Sequence, residues 1–256
     1  MLLGIDHLVI AVEDPDAAAS ELEARLGVTP GGGGRHDRLG TFNRLVWLGD
    51  TYLELIGVFD AALAAVSWSG IPTLQALESG GGLATWAIAS DDVVFDAAVL
   101  RARGSDLAEP TDGERVRDDG RVVRWRMARA PQLGPARPPF LIEHDTTAAE
   151  WSPADSAERA AGSGRLTLVE LDVDDVNRTS QAFLRTVGLR FRPSLAGGGA
   201  RDADIGRQKV RLRRRPAPEQ SPMAVQVSIR GAATDHFEAL GCGWIVQPWD
   251  ATPAER

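Results

Sequence analysis

Two residues that could bind a metal ion or transfer a proton lie within apolar runs typical of buried β-strands. His7 lies in the apolar run Leu2–Val12, and Glu54 lies in the similar run Thr51–Val58. Both runs have the length and the aliphatic content of β-strands. A polar group there needs a partner, because burial without one is costly. Imidazole nitrogen and carboxylate oxygen together suit zinc, iron, manganese, nickel or cobalt; a His–Glu pair that only stabilises the sheet is an equal alternative.

His36 is a second candidate, because it follows a glycine-rich loop and loops of this kind often border sites. It is assigned an acid/base role or a substrate contact, with Arg35 and Asn43 beside it as further substrate contacts. The alternative is an exposed loop histidine. Trp86 lies on a strand, as Trp47 and Trp125 do, and is assigned to the wall of an apolar pocket, although most of these tryptophans are expected in the core.

Glu143 and His144 are the next candidates, at the end of a later strand. Placing Glu143 opposite Glu54 requires one choice of strand register, and the other choice places Ile142 there instead. A pair of residues facing solvent at a sheet edge is the alternative.

These residues are positioned by a unit of one strand, one helix and three strands. In the first unit Asp14 is expected to cap the helix and Gly27 to end it. The pattern recurs and predicts an α+β fold of repeated βαβββ modules, whose curved mixed sheets surround a central pocket with helices outside. The predicted units are a paired region 1–148, with modules 2–58 and 82–145, and a region 163–256, with a degenerate module 164–214 and a truncated module 222–248. Ala61 to Gly82 and Thr146 to Gly164 are predicted as linkers, and a helix is predicted near Asp235 to Leu240.

Composition limits the partners. The 256 residues carry a formal net charge of −8, which argues against nucleic acid or an anionic membrane as partner. Cys242 is the single cysteine, which fits a reducing compartment. No apolar span long enough for a membrane helix and no signal peptide is evident, so a cytoplasmic protein is expected. A small-molecule substrate or ligand is the expected partner, and a homodimer is considered.

The motifs resemble a known family. Gly4-Ile-Asp-His-Leu-Val-Ile-Ala-Val12 with the following Asp-Pro, then Gly33 to His36, Gly40-Thr41-Phe42-Asn43 and Tyr52-Leu-Glu-Leu55 resemble the glyoxalase-like branch of the vicinal oxygen chelate superfamily. The resemblance implies paired modules around a divalent metal, with ligands from the first and last strands of two modules. Matched by position, the metal ligands would be His7, Glu54 and Glu143. Thr85 takes the place of His7 in the second module and is a poor ligand, so we assign it to substrate binding.

The resemblance leaves several functions open. The first is a metal-dependent lyase or isomerase acting on a small oxygen-rich or carbonyl substrate, with Glu54 or His36 moving a proton. The second is a metal-free binding protein of the bleomycin-resistance type, in which the cofactor is absent. An iron-dependent dioxygenase relative is a further alternative. The C-terminal modules could also serve only packing or dimerisation.

Overall fold

The computed structural model describes residues 1–116, 120–145, 164–215 and 223–249. The predicted linker Thr146 to Gly164 lies outside these residues except for Gly164, and so does the boundary predicted between 148 and 163. Within the described residues, no helix combines the length and apolar character that crossing a bilayer requires.

The first eight strands close into a barrel. In spatial order they are β1, β4, β3, β2, β6, β7, β8 and β5. Their bounds are β1 Leu2–Ala11, β2 Pro30–His36, β3 Thr41–Leu48, β4 Thr51–Val58, β5 Gly82–Ser90, β6 Thr111–Val116, β7 Val122–Ala128 and β8 Phe140–His144. The first strands of the two units, β1 and β5, pair antiparallel, and each pairs parallel with the last strand of its own unit. The predicted α+β class with curved sheets around a pocket is confirmed.

Helices α1 (Pro15–Leu26) and α4 (Val93–Ala102) follow the first strand of each unit. The Asp14 carboxylate accepts hydrogen bonds from the first free N–H groups of α1, and Gly27 ends the helix in the left-handed conformation at φ 66°. The apolar face of α1 is buried through Ala18, Leu22 and Leu26. The local signals read from the sequence therefore act as expected at this helix.

The stretch predicted as a linker from Ala61 to Gly82 is folded instead. It forms α2 (Ala61–Ala64) and α3 (Gly70–Glu78). The Asp60 carboxylate caps α2 by accepting hydrogen bonds from two backbone N–H groups. The apolar residues of this stretch find a surface to cover, because Ala76 and Leu77 pack against Val9, Ile56 and Ala84 of the barrel.

A second, open sheet contains the remaining strands, in the order β10, β11, β12, β9, β13, β15, β14. Its elements are β9 Gly164–Val173, α5 Val176–Val187, β10 Arg192–Pro193, β11 Arg201–Ile205, β12 Gln208–Arg214, β13 Met223–Arg230, β14 Asp235–Ala239 and β15 Cys242–Trp249. The helix predicted near Asp235 to Leu240 is wrong. That stretch is β14, which pairs antiparallel with β15 through a tight turn at Leu240 and Gly241.

One apolar core joins the barrel to this second sheet. Trp86, on the outer side of β5, is fully buried there, and its ring lies 6.0 Å from the ring of Phe183 on α5. Because residues alternate between the two faces of a strand, Thr85 next to it faces the barrel interior. Because the outward-facing residues of β5 are buried in this core, the alternate residues of the strand face the barrel interior.

Candidate functional site

The barrel encloses a cavity with about 590 Å³ of empty space, including its mouth. Most of its wall is apolar or aromatic. The polar groups that face it are His7, His36, Asn43, Glu54, Ser69, Thr85, Arg115 and His144. An apolar cavity with a few convergent polar groups is the usual form of a small-molecule site.

His7 is held rigidly on β1. The pairing of β1 with β5 passes from Ile5↔Ile88 to His7↔Ala87, so Asp6 is an extra residue in the ladder. Asp6 Oδ1 lies 2.6 Å from His7 Nδ1. The imidazole also stacks on the ring of Tyr52, with 4.6 Å between centroids, and meets the edge of Phe140. These contacts leave His7 Nε2 directed at the cavity.

Glu54 faces His7 from β4, the strand that pairs with β1. Glu54 Oε2 lies 3.6 Å from His7 Nε2, and Asn43 Nδ2 donates a hydrogen bond of 2.6 Å to Glu54 Oε1. His36 Nε2 is 4.0 Å from the same Oε1. The carboxylate therefore lies between two imidazoles, and only about 12% of its side chain is exposed.

The glycine-rich strand β2 brings His36 into this group. Gly33 has φ 130°, and a Cβ there would collide with the backbone oxygen of Asn43, so only glycine allows β2 to lie this close to β3. Arg115 from β6 donates to the Gly33 carbonyl and fixes the other side of the strand. His36 Nδ1 lies 3.0 Å from Thr41 Oγ1, which orients its ring.

Asp6 links His7 to a second histidine. Asp6 Oδ1 is 3.3 Å from His144 Nε2 on β8, as well as 2.6 Å from His7 Nδ1. Burial opposes ionisation of the Asp6 carboxyl, but the charge of His144 and the hydrogen bonds from His144 and His7 outweigh it. Together they hold the pKa of Asp6 well below its usual value. Asp6 is therefore a carboxylate, and His7 Nδ1 must be the donor in their contact.

Six predicted site residues meet at this cavity: His7, His36, Asn43, Glu54, Thr85 and His144. The prediction that Glu143 faces the site is wrong. Its Oε2 accepts a hydrogen bond of 2.9 Å from the backbone N–H of Val93, at the start of α4 on the outside of the barrel. The register of β8 is the alternative one, with Ile142 and His144 facing inward, so Glu143 compensates a helix N-terminus.

Two predicted substrate contacts also lie elsewhere. Trp86 packs in the core between the barrel and α5. The Arg35 guanidinium lies 3.6 Å from the ring centroid of Phe59 and bonds to Asp37, with 59% of the side chain exposed. Arg35 is adjacent to His36 on a strand, so its side chain leaves by the opposite face.

Several residues that line the cavity or contact its histidines were missed. Asp6 and Arg115 were missed because a buried charge in a strand gives no local signal of its partner. Trp68 and Ser69 were missed because their segment was taken for a linker. Trp125, also at the wall, carried only the general expectation for strand tryptophans.

The donors at the cavity do not match the three-ligand metal site predicted from the sequence. His7 Nε2 and Glu54 Oε2 converge, but Glu143 lies outside, while Thr85 and Ile142 occupy wall positions where further ligands would be needed. Among the described residues, no three histidine, cysteine, aspartate or glutamate side chains are grouped so as to hold an ion. Hydroxyl and alkyl groups are poor substitutes for imidazole or carboxylate.

A solved structure shares the fold over nearly the whole chain. A hypothetical protein from Staphylococcus aureus has a TM-score of 0.78 at 15% identity, covering 96% of this chain and 99% of that one. Streptomyces coelicolor methylmalonyl-CoA epimerase, in complex with 2-nitronate-propionyl-CoA, has a TM-score of 0.43 at 21% identity, covering 57% and 100%. The Mycobacterium tuberculosis methylmalonyl-CoA epimerase has a TM-score of 0.40 at 17% identity, covering 61% and 93%.

No curated protein matches the chain. The model of the family described as glyoxalase-like domain matches residues 5–187, and this confirms the resemblance inferred from the motifs. Since the match spans more than half of the sequence, the chain belongs to the glyoxalase-like domain family.

Proposed function

We propose that this protein is an enzyme of lyase or isomerase type that moves a proton on a small carbonyl compound. The observation that carries the proposal is the pairing of Glu54 Oε2 with His7 Nε2, 3.6 Å apart at one enclosed cavity. That separation is too long for a hydrogen bond between them, so both groups are available to a molecule bound at the cavity.

Glu54 is the base in this proposal. Its Oε2 takes a proton from the carbon next to the carbonyl, and the electron pair of that C–H bond forms the enolate double bond. Asn43 holds the other oxygen, so the carboxylate keeps one orientation. A positioned carboxylate of this kind contributes about 10²–10⁴-fold to proton transfer.

His7 is the acid in this proposal. In its protonated form, Nε2 gives a proton to the carbonyl oxygen as the enolate develops. The ionised Asp6 accepts from Nδ1 and fixes the orientation of the ring, as the buried carboxylate of a Ser-His-Asp triad does. Return of a proton to the opposite face of the same carbon, while the enol O–H proton goes back to His7, completes an epimerisation. Departure of a leaving group from the next carbon, again with the O–H proton going back to His7, completes a lyase reaction.

The metal-dependent form of this function, like the dioxygenase, needs donors that the described residues do not bring together. We therefore assign no step to a metal. The second candidate is binding without chemistry, and the apolar wall of the cavity favours it.

Exchange of deuterium from solvent into the ligand's C–H position next to the carbonyl distinguishes the enzyme from the binding protein. Small ketones and aldehydes are incubated with the protein in D₂O, and loss of the proton next to the carbonyl is followed by NMR. The proposal predicts exchange that falls about 100-fold or more in Glu54→Gln and persists in Glu143→Gln, whose side chain lies outside the barrel. Binding of a ketone with no exchange above the Glu54→Gln level would support the binding protein instead.

A further inference from the structure

Three buried polar atoms at the cavity wall lack a hydrogen-bond partner within the described part of the chain. They are Asn43 Oδ1, Ser69 Oγ and Thr85 Oγ1. Their residues are only 5%, 6% and 1% exposed. Buried polar groups nearly always have partners in native proteins, so three such atoms at one cavity indicate the positions of a ligand's polar groups.

The three atoms come from different elements and surround the cavity. Asn43 is on β3, Thr85 on β5, and Ser69 directly precedes α3. The Asn43 amide nitrogen is already used on Glu54, so Oδ1 is left as an acceptor and calls for a donor on the ligand. The two hydroxyl groups can donate or accept.

The segment that carries Ser69 is a fixed cover and not a loose loop. Ser67 Oγ donates to the Leu39 carbonyl at 2.9 Å and accepts from Gly70 N at 3.0 Å, while Thr73 Oγ1 donates to the Ser69 carbonyl at 2.7 Å. A Cβ at Gly70 would collide with the backbone of Ala64, so α2 and α3 are packed as closely as glycine allows.

Trp68, next to Ser69, supplies the aromatic part of this cover. Its ring meets the ring of Phe140 edge-on, with 5.6 Å between centroids, and Phe140 in turn meets the edge of His7. The Trp68 ring thus lines the cavity, with Phe140 between it and His7. Rings favour other rings in offset or edge-on contact, which suits a compact aromatic ligand.

Charge at the cavity argues for an uncharged ligand. The ionised Asp6 already has His7 and His144 as partners. The Glu54 carboxylate accepts a hydrogen bond from Asn43 and lies 3.6 Å from His7 Nε2, so neither acid needs a charged group on the ligand. A further carboxylate beside Glu54 would add a like charge in a poorly solvated place.

We propose that the cavity takes a compact, uncharged aromatic molecule carrying a hydroxyl group, which the oxygens of Asn43, Ser69 and Thr85 select beneath the cover that holds Trp68. This inference rests on the proposed function for the identity of the reacting pair, but it concerns binding and stands without turnover.

Three matched probes test it by isothermal titration calorimetry: para-(hydroxymethyl)acetophenone, acetophenone and para-acetylbenzoate. They share the ring and the carbonyl and differ only in the para substituent, which is hydroxymethyl, hydrogen or carboxylate. We expect the hydroxyl compound to bind about tenfold more tightly than acetophenone and the carboxylate to bind more weakly than both.

Substitutions test whether the side-chain oxygens of Ser69 and Thr85 cause the preference for the hydroxyl compound. Thr85→Val and Ser69→Ala are expected to remove most of the hydroxyl compound's advantage and leave acetophenone binding unchanged, while Trp68→Ala weakens both. Ser79→Ala is the matched control, because Ser79 ends α3 at an exposed position. Equal affinity for the three probes, no measurable binding of any, or an undiminished hydroxyl advantage in Thr85→Val and Ser69→Ala would overturn the inference. Tight binding without proton exchange would leave it standing and count only against the enzyme.

Discussion

Asp6 and His7 are neighbours in one strand, yet their side chains meet, with 2.6 Å between Asp6 Oδ1 and His7 Nδ1. A regular strand would direct them to opposite faces. The extra residue in the β1–β5 ladder removes that constraint at this point. The irregularity therefore creates the acid–imidazole pair at the cavity, and β-bulges are often found beside active sites for this reason.

The first prediction concerns acid stability. The folded pKa of Asp6 is depressed, so its ionisation stabilises the fold above the ordinary aspartate range, and this contribution is lost as pH falls through the folded pKa. We expect the difference in free energy of unfolding between the wild type and Asp6→Asn to hold from about pH 5 to about pH 4 and to shrink below that range. Denaturant unfolding at a series of pH values measures it; a difference that grows towards lower pH would contradict the assignment.

The second prediction concerns Glu143. Its carboxylate satisfies the Val93 N–H at the start of α4, so Glu143→Ala should lower the free energy of unfolding by about 1–2 kcal/mol. Ligand affinity should stay unchanged, because the side chain does not reach the cavity. Chemical denaturation measures the change in stability, and calorimetry measures ligand affinity. Loss of ligand binding in the folded variant would indicate that Glu143 contributes to the site.

A pair of tryptophans supplies the third prediction. Trp86→Ala should cost about 3–5 kcal/mol of unfolding free energy, because its ring fills the core against Phe183. Trp125→Ala should cost less, since Trp125 is only half-buried at the cavity wall, but it should change ligand affinity. Similar losses of unfolding free energy in the two variants would argue against assigning Trp86 to the core and Trp125 to the cavity wall.

The sequence predicts much of the barrel because its signals are local. Strand β4 falls on the predicted residues Thr51 to Val58, and the Asp14 cap and Gly27 stop act as read. His7 and Glu54 could be paired because both interrupt apolar strands. The register of β8 could not be predicted: a shift by one residue exchanges Glu143 with Ile142 and His144, and only the pairing with β7 settles it.

Longer-range features also escaped prediction. Nothing near Trp68 indicates that its segment folds over the barrel, because the burial of α3 depends on Val9, Ile56 and Ala84 from three strands. The stretch Asp235–Ala239 becomes a strand because the edge of β15 is available for pairing. In both places tertiary contacts decide the local structure.

The most direct test of the account is the protonation of the His7 ring, observed in long-range ¹H–¹⁵N correlation spectra of the protein with labelled histidine. We expect the neutral ring to carry its proton on Nδ1, facing Asp6, with Nε2 open to the cavity. We expect Asp6→Asn to shift the ring away from this tautomer. The resonance is assigned by its loss in His7→Gln. A neutral ring protonated on Nε2, or a tautomer unaffected by Asp6→Asn, would contradict the central claim that Asp6 presents His7 to the cavity opposite Glu54.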